Sequence, residues 1–192
     1  MPPNTMASEQ SQRTESSQKN QTEVTETVKN FLGDYRIDKP DDVIPLIKHI
    51  KDFLEFREYS QKTKQHADNI QWKRTATEIL NDGYVYSGKA CSDLVIILIA
   101  LCRAADIEAQ LLKLIRTDGK STHSIAEFKI NGDWYRIDPT LTEPKPFKGY
   151  LTDDQIWNKD WEGGWKVWKR GTDLWSMGLD GIDVEGNVYS EE

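Results

Sequence analysis

The feature that most constrains this chain is one long apolar segment near its middle. Residues 90–103 read ACSDLVIILIALCR, and the apolar run within them, from Leu94 to Cys102, is uninterrupted. A segment of about fourteen residues is long for a strand. An apolar run of this kind is typical of a helix that is buried on several sides. The segment therefore predicts a central helix that the rest of the chain must cover.

The same run is too short to cross a bilayer, which needs about twenty apolar residues. The chain has 192 residues, a net charge of −7 and no block of basic residues, so we expect neither a nucleic-acid partner nor a membrane partner. No apolar stretch at the N-terminus resembles a signal peptide. Two cysteines cannot form a disulfide scaffold. Together these features predict a cytoplasmic protein.

The composition predicts one domain with a polar tail. Residues 1–21 are rich in Ser, Thr, Gln and Asn and have little apolar surface, so we expect them to be disordered. Residues 22–192 are then a single domain with a Trp-rich C-terminal extension. Residues 141–192 predict a lid or an additional strand pair that wraps the core. They hold five of the seven tryptophans: Trp157, Trp161, Trp165, Trp168 and Trp175.

Three amphipathic helices precede the central one. The first ends at Gly33, the second begins after Asp41 or Asp42, and the third ends at Gly83. The first presents Val24, Val28, Phe31 and Leu32 on its buried face. The second presents Val43, Leu46, Ile47, Ile50, Phe53 and Leu54. The third presents Trp72, Ala76, Ile79 and Leu80.

A short strand over residues 109–116 and then a β-hairpin follow the central helix. Residues 124–130 alternate between apolar and polar, and residues 134–137 alternate back. The Asn131-Gly132 pair between them is the strongest short signal for a hairpin turn. This register places Phe128 and Tyr135 opposite each other, and it puts residues 123 and 138 on one face.

Two cysteines lie on the central helix, and the pattern gives them different roles. Cys91 begins the helix, where the dipole and the free N–H groups of the first turn favour a thiolate. The alternative for Cys91 is a small buried core residue. Cys102 lies about 16 Å further along the axis, so the two cannot form a disulfide, and we interpret Cys102 as structural.

His123 and Asp138 complete a candidate catalytic group. A histidine that is oriented by a carboxylate, beside a cysteine at a helix N-terminus, is the Cys-His-Asp arrangement of thiol enzymes. The alternative for Asp138 is a turn residue, because Asp-Pro-Thr is a good turn initiator. The other two histidines, His49 and His66, lie in polar surroundings and are predicted to be solvated.

Neither a nucleotide nor a metal is indicated. Residues 83–90, GYVYSGKA, nearly match a phosphate-binding loop, but Ala90 stands where the Mg²⁺-binding hydroxyl would be. The two cysteines and three histidines lack the spacing of metal ligands. We therefore expect no metal and no other cofactor.

Three blocks of the sequence form a recognisable combination. They are ATEIL with GKACSD (residues 76–80 and 88–93), RAADIEA (103–109), and THS with GDWYRIDPT (122–124 and 132–140). Together these blocks resemble transglutaminase-like domains. The resemblance implies the papain-like α+β fold, with a central Cys-bearing helix packed on an antiparallel sheet. It implies Cys91 as nucleophile, His123 as base and Asp138 as the residue that orients His123, with no cofactor.

The sequence departs from the family's pattern at two positions. Asp106 replaces the glycine that ends the cysteine helix, which is tolerable because Asp can adopt the left-handed conformation. Ile125 replaces an aromatic residue two positions after the histidine. The family's upstream oxyanion group has three candidates here, which are Gln71, Trp72 and Tyr84.

These features predict a thiol-dependent amide hydrolase or acyl transferase that forms an acyl-enzyme on Cys91. Its substrate is a protein or peptide that carries an amide, and the activity is that of a protease, a deamidase or a transglutaminase. Family inference favours hydrolysis, since many small transglutaminase-like domains are thought to act as hydrolases. One alternative is a catalytically silent transglutaminase-like module that binds peptides or proteins. Another is an interaction domain whose tryptophans form a peptide-binding surface.

Overall fold

Five helices and seven strands lie in the described part of the chain. The computed structural model describes residues 20–153, 155–157 and 164–180. In chain order the elements are α1 (Glu26–Leu32), α2 (Val43–Phe53), β1 (Glu55–Arg57), α3 (Lys64–Ile70), α4 (Ala76–Asp82), β2 (Tyr84–Tyr86), α5 (Cys91–Ala104), β3 (Ala109–Arg116), β4 (Thr122–Ile130), β5 (Asp133–Ile137), β6 (Phe147–Lys148) and β7 (Trp165–Gly171). Two short 3₁₀ helices, Pro40–Asp42 and Trp175–Met177, precede α2 and follow β7.

The apolar segment forms the central helix, as predicted. Eleven of the 14 residues of α5 are buried. The helix packs against α1, α2 and α4 on one side and against β3 and β4 on the other. Cys102 is 1% exposed within this core, as its structural interpretation requires. In the described part of the chain, no helix combines the length and the apolarity that a membrane span needs.

The helices that cover α5 begin and end at local signals. The Thr25 hydroxyl accepts the Val28 N–H at the start of α1, and Gly33 ends that helix with a φ of 56°. Thr75 and Glu78 form a capping box at the start of α4. The buried face of the second helix is as predicted except for one residue, since Phe53 is 46% exposed.

The larger sheet has five antiparallel strands in the order β6-β5-β4-β3-β7. This mixture of helices and an antiparallel sheet confirms the predicted α+β class. The hairpin register is also as predicted, because Phe128 pairs with Tyr135 and Ile130 with Asp133. Asn131 and Gly132 both have positive φ, at 51° and 86°, which the tight turn requires.

Several elements differ from the predictions. Trp72 precedes α4 instead of lying within it, and it has a φ of 65°. The short helix α3 and the parallel pairing of β1 with β2 were not predicted. The C-terminal region does supply two strands, but β6 and β7 lie at opposite edges of the sheet and do not pair with each other. Trp161 lies outside the described residues.

The predicted boundary of the polar tail is too late. Residues 1–19 lie outside the described part of the chain, but Gln21 is 0% exposed. Its Nε2 donates to the carbonyls of Trp72 and Arg74, at 2.9 and 3.0 Å. Its Oε1 accepts the Leu174 N–H at 3.0 Å. One amide therefore joins the segment before α4 to the segment after β7.

We expect Gln21→Ala to lower the free energy of unfolding by about 3 kcal/mol, measured by urea denaturation. The substitution leaves the Arg74 carbonyl and the Leu174 N–H without their partner, and each such loss costs about 1–3 kcal/mol. The Trp72 carbonyl still accepts the Trp175 Nε1–H. Gln61→Ala, at an exposed position, is the matched control and should change stability by less than about 0.5 kcal/mol. Equal stability of the two variants would show that Gln21 is not part of the fold.

Candidate active site

Cys91 is the first residue of α5, directly after the residue that caps it. The turn before it runs through Gly88, whose φ of 78° lets the chain reverse from β2 into the helix. Cys91 is partly exposed, whereas Cys102 is buried. The nucleophile candidate therefore sits where the buried helix reaches the surface and where its unpaired N–H groups point outward.

The hairpin brings His123 and Asp138 together. His123 Nε2 lies 2.7 Å from Asp138 Oδ2. Both side chains are buried, at 7% and 2% exposure. The pairing follows from the register, since the two residues lie on one face of neighbouring strands, as the sequence predicted.

Asp138 is also a turn residue, which the sequence analysis gave as the alternative to a catalytic role. Its second oxygen, Oδ1, accepts the N–H of Thr140 at 2.8 Å and the Thr140 hydroxyl at 2.6 Å. One carboxylate oxygen thus fixes the turn after β5 while the other contacts the imidazole. The turn holds the carboxylate in a single orientation for His123.

His123 also acts electrostatically on the Cys91 thiol, beside which it lines the same cavity. Burial raises the pKa of this thiol, but the interaction with His123 and the positive charge of Lys113 outweigh burial and lower the pKa to about 6. Burial lowers the pKa of His123, but the interactions with Asp138 and Cys91 raise it to about 9. At neutral pH the favoured state is a thiolate beside an imidazolium.

Burial acts on Asp138 and Cys102 as well. Burial raises the pKa of the Asp138 carboxyl, yet its bond with His123 and its bonds with Thr140 hold that pKa below the usual value. Burial alone dominates at Cys102 and raises its pKa to about 12. The two cysteines of one helix therefore differ strongly in reactivity.

Cys91 and His123 line an open cavity of about 330 Å³. The walls combine apolar groups, such as Leu94 and Phe56, with polar ones. Lys51 stands at the rim, where its ammonium donates to the Leu141 carbonyl at 2.6 Å. The complete lining is Lys51, Phe56, Gly88, Ala90, Cys91, Leu94, Thr122, His123 and Thr140.

The three oxyanion candidates do not line this cavity. The Tyr84 hydroxyl bonds His66 at 2.9 Å instead. The indole of Trp72 lies under the ammonium of Lys113, 4.4 Å from it. Cys91 does line the cavity, so its backbone N–H is left as the candidate oxyanion donor.

The remaining site predictions have mixed outcomes. His66 is exposed, as predicted, but His49 is half-buried and stacks on Phe31 at 4.5 Å. Among the described residues, no group of His, Cys, Asp and Glu could hold a metal ion. Asp106 has a φ of 59°, so it does adopt the left-handed conformation of the glycine it replaces. Ile125 packs with Trp165 in a separate apolar cluster.

Sequence reasoning missed three polar residues behind Cys91. Lys113, Ser92 and Ser124 are all buried and hydrogen-bonded to one another. The available signal was a lysine inside the otherwise apolar strand LLKLI, at residues 111–115. It also missed Trp165 of β7, whose ring lies 5.7 Å from the His123 ring.

Known structures similar to this chain share little sequence with it. A candidate cysteine protease from Cytophaga hutchinsonii is 17% identical, with a TM-score of 0.45 over 82% of this chain and 51% of that one. A protein described as a TGase is 10% identical, with a TM-score of 0.42 over 69% and 33%. LapG of Legionella pneumophila is 16% identical, with a TM-score of 0.40 over 78% and 80%. The chain thus spans about half the length of the first of these proteins.

Comparison with the curated proteins gives no significant match. The sequence model of the transglutaminase-like superfamily, in contrast, matches residues 37–139, which is more than half of the chain. This range includes the whole cysteine helix and the hairpin that carries His123 and Asp138. The chain therefore belongs to the transglutaminase-like superfamily.

Proposed function

We propose that this protein is a thiol enzyme that attacks amide carbonyls of proteins or peptides. Cys91 is the nucleophile, His123 is the acid and base, and Asp138 orients His123. The observation that carries the proposal is that Cys91 and His123 line one open cavity, while Asp138 bonds His123 at 2.7 Å. A structural cysteine would need neither the partner nor the cavity.

The first step is attack by the Cys91 thiolate on the carbonyl carbon. The C–S bond forms while the carbonyl π electrons move to oxygen, which becomes an oxyanion. The backbone N–H of Cys91 is one donor to that oxyanion, since the first N–H groups of a helix have no partner within it. The His123 imidazolium keeps its proton for the leaving group.

The second step breaks the C–N bond. His123 gives its proton to the departing amine, and a thioester remains on Cys91. Water then transfers a proton to His123 and attacks the thioester, which releases the acid and restores the thiolate. An amine in place of water gives acyl transfer. We favour hydrolysis, as the family inference does.

The alternative of a catalytically silent module that only binds peptides or proteins would show no turnover of an amide substrate. The lowered pKa of Cys91 favours the enzyme, because a module that only binds has no use for a thiolate. The interaction domain with a tryptophan surface lacks support, since all six described tryptophans are buried or half-buried. They are Trp72, Trp134, Trp157, Trp165, Trp168 and Trp175.

Iodoacetamide should label the native protein once at about pH 6, and peptide mapping should place the label on Cys91. With a pKa of about 6 for Cys91 and about 12 for Cys102, only the first thiol has a substantial thiolate fraction there. His123→Ala should slow the labelling about tenfold or more, because it removes the imidazolium that favours the Cys91 thiolate.

His66→Ala is the control for this labelling experiment, because His66 is exposed and outside the cavity. It should leave the labelling rate unchanged. Equal labelling of both cysteines, or an unchanged rate in His123→Ala, would contradict the thiolate–imidazolium pair.

Asp138→Asn should lower turnover of fluorescein-labelled casein or a cleaved peptide by roughly a hundredfold or more. The amide keeps the shape but loses the charge that stabilises the imidazolium and selects the tautomer of His123. Asp133→Asn changes an exposed acid of the same hairpin and should retain full turnover. Circular dichroism should show both variants folded. Full turnover in Asp138→Asn would leave Asp138 with its turn role alone.

The pH profile of kcat/KM should be bell-shaped. Activity rises through about pH 6 as the Cys91 thiolate forms, and it falls through about pH 9 as His123 loses the proton that the leaving amine needs. Initial rates across this range measure both limbs. A profile without an acidic limb would mean that no thiolate takes part.

A further inference from the structure

Lys113 is a charged residue inside the sheet. It is 1% exposed, and its neighbours on β3, Leu112 and Leu114, are both 0% exposed. Burying an ammonium group is costly unless an anion or several hydrogen bonds compensate for the lost water. The contacts of Lys113 should therefore show which groups compensate its buried charge.

Only neutral groups contact this ammonium in the described part of the chain. Lys113 Nζ donates to Ser124 Oγ at 3.0 Å and to Ser92 Oγ at 3.4 Å. It also lies 4.4 Å from the centre of the Trp72 ring. Among the described residues, no carboxylate pairs with it. Nearby Arg74 differs, because its buried guanidinium lies 2.5 Å from the Asp93 carboxylate.

The hydroxyl groups lead from Lys113 to the nucleophile. Ser92 follows Cys91 on α5, and its Oγ lies 4.0 Å from Cys91 Sγ. The hydroxyls of Ser92 and Ser124 bond each other at 2.9 Å. The buried ammonium and two hydroxyls thus lead to the partly exposed sulfur, which is the atom of this group that can carry a negative charge.

The electrostatic effects agree with this geometry. Burial lowers the pKa of Lys113 to about 8, and the one charge that opposes this effect is Cys91. Reciprocally, the charge of Lys113 favours the Cys91 thiolate. Lys169 lies opposite Lys113 on β7, but its ammonium donates to the Met177 carbonyl. His123, on β4, is the second cation that lowers the pKa of Cys91.

We propose that Lys113 is a positioning residue that holds the Cys91 nucleophile in its thiolate form, through the paired hydroxyls of Ser92 and Ser124. The inference rests on the proposed function, in which Cys91 attacks as a thiolate. His123 must give up its proton during the reaction, whereas Lys113 has no such task. Its positive charge therefore remains beside the sulfur when the thiolate leaves the thioester.

The test compares Lys113→Met with the wild type and with Lys166→Met. Methionine has similar length but no charge, and Lys166 is an exposed lysine on β7. The rate of iodoacetamide labelling of Cys91 is measured against pH, and thermal unfolding is followed in parallel. In Lys113→Met the labelling pKa should rise by about one unit or more. The melting temperature should stay equal or rise, because a buried charge without a carboxylate partner is gone. Lys166→Met should match the wild type in both measurements.

An unchanged labelling pKa in Lys113→Met would overturn the proposal. A fall of several degrees in melting temperature without a pKa shift would assign Lys113 to the fold alone. If Lys113→Met does not fold, Lys113→Gln replaces it, since glutamine is neutral and can still bond the hydroxyls. Failure of both to fold would again make Lys113 structural and overturn the proposal.

The failure of the proposed function has a different signature. His123→Ala would then label at the wild-type rate, or casein and peptides would not be cleaved while Lys113→Met still shifts the labelling pKa.

Discussion

The burial of α5 is the constraint on which the rest of this fold depends. A helix with eleven of 14 residues buried must be covered on every side. Each buried Leu or Ile contributes about 1.5–3 kcal/mol when it is removed from water. The sheet covers one side, and α1, α2 and α4 cover the other. Only the ends of such a helix can reach a polar surface, so a functional group on it must lie at an end, as Cys91 does.

The second constraint is the register of the hairpin. A slip of one residue would turn His123 to the other face of β4 and would separate it from Asp138. The Asn131-Gly132 turn prevents such a slip, because its two positive φ angles fix which residues oppose each other. The site is therefore held by a helix end and a hairpin, whose packing brings Cys91 and His123 to the wall of one cavity.

The parts of the structure that could be predicted are those that local patterns determine. The continuous apolar run identified α5, and alternation with the Asn-Gly turn identified the hairpin. The register of that hairpin placed His123 and Asp138 on one face. The strands β1 and β2 were not predicted, because each has only three residues and β1 is exposed along its length. Gln21 was assigned to a disordered tail because its partners, such as Trp72 and Leu174, lie 51 and 153 residues away. An amide that is buried by such distant segments leaves no local pattern.

The buried charged residues near the start of α5 differ in the partners that compensate them. Asp93 lies in the first turn, where a carboxylate is favoured by the helix dipole but would oppose a thiolate at Cys91. Arg74 contacts this carboxylate at 2.5 Å and compensates its charge. The field of the helix end and the charges of His123 and Lys113 then favour the thiolate at Cys91. Two buried cations thus have different partners. Arg74 compensates a carboxylate of the fold, whereas Lys113 contacts the hydroxyl of Ser92, the residue that follows Cys91.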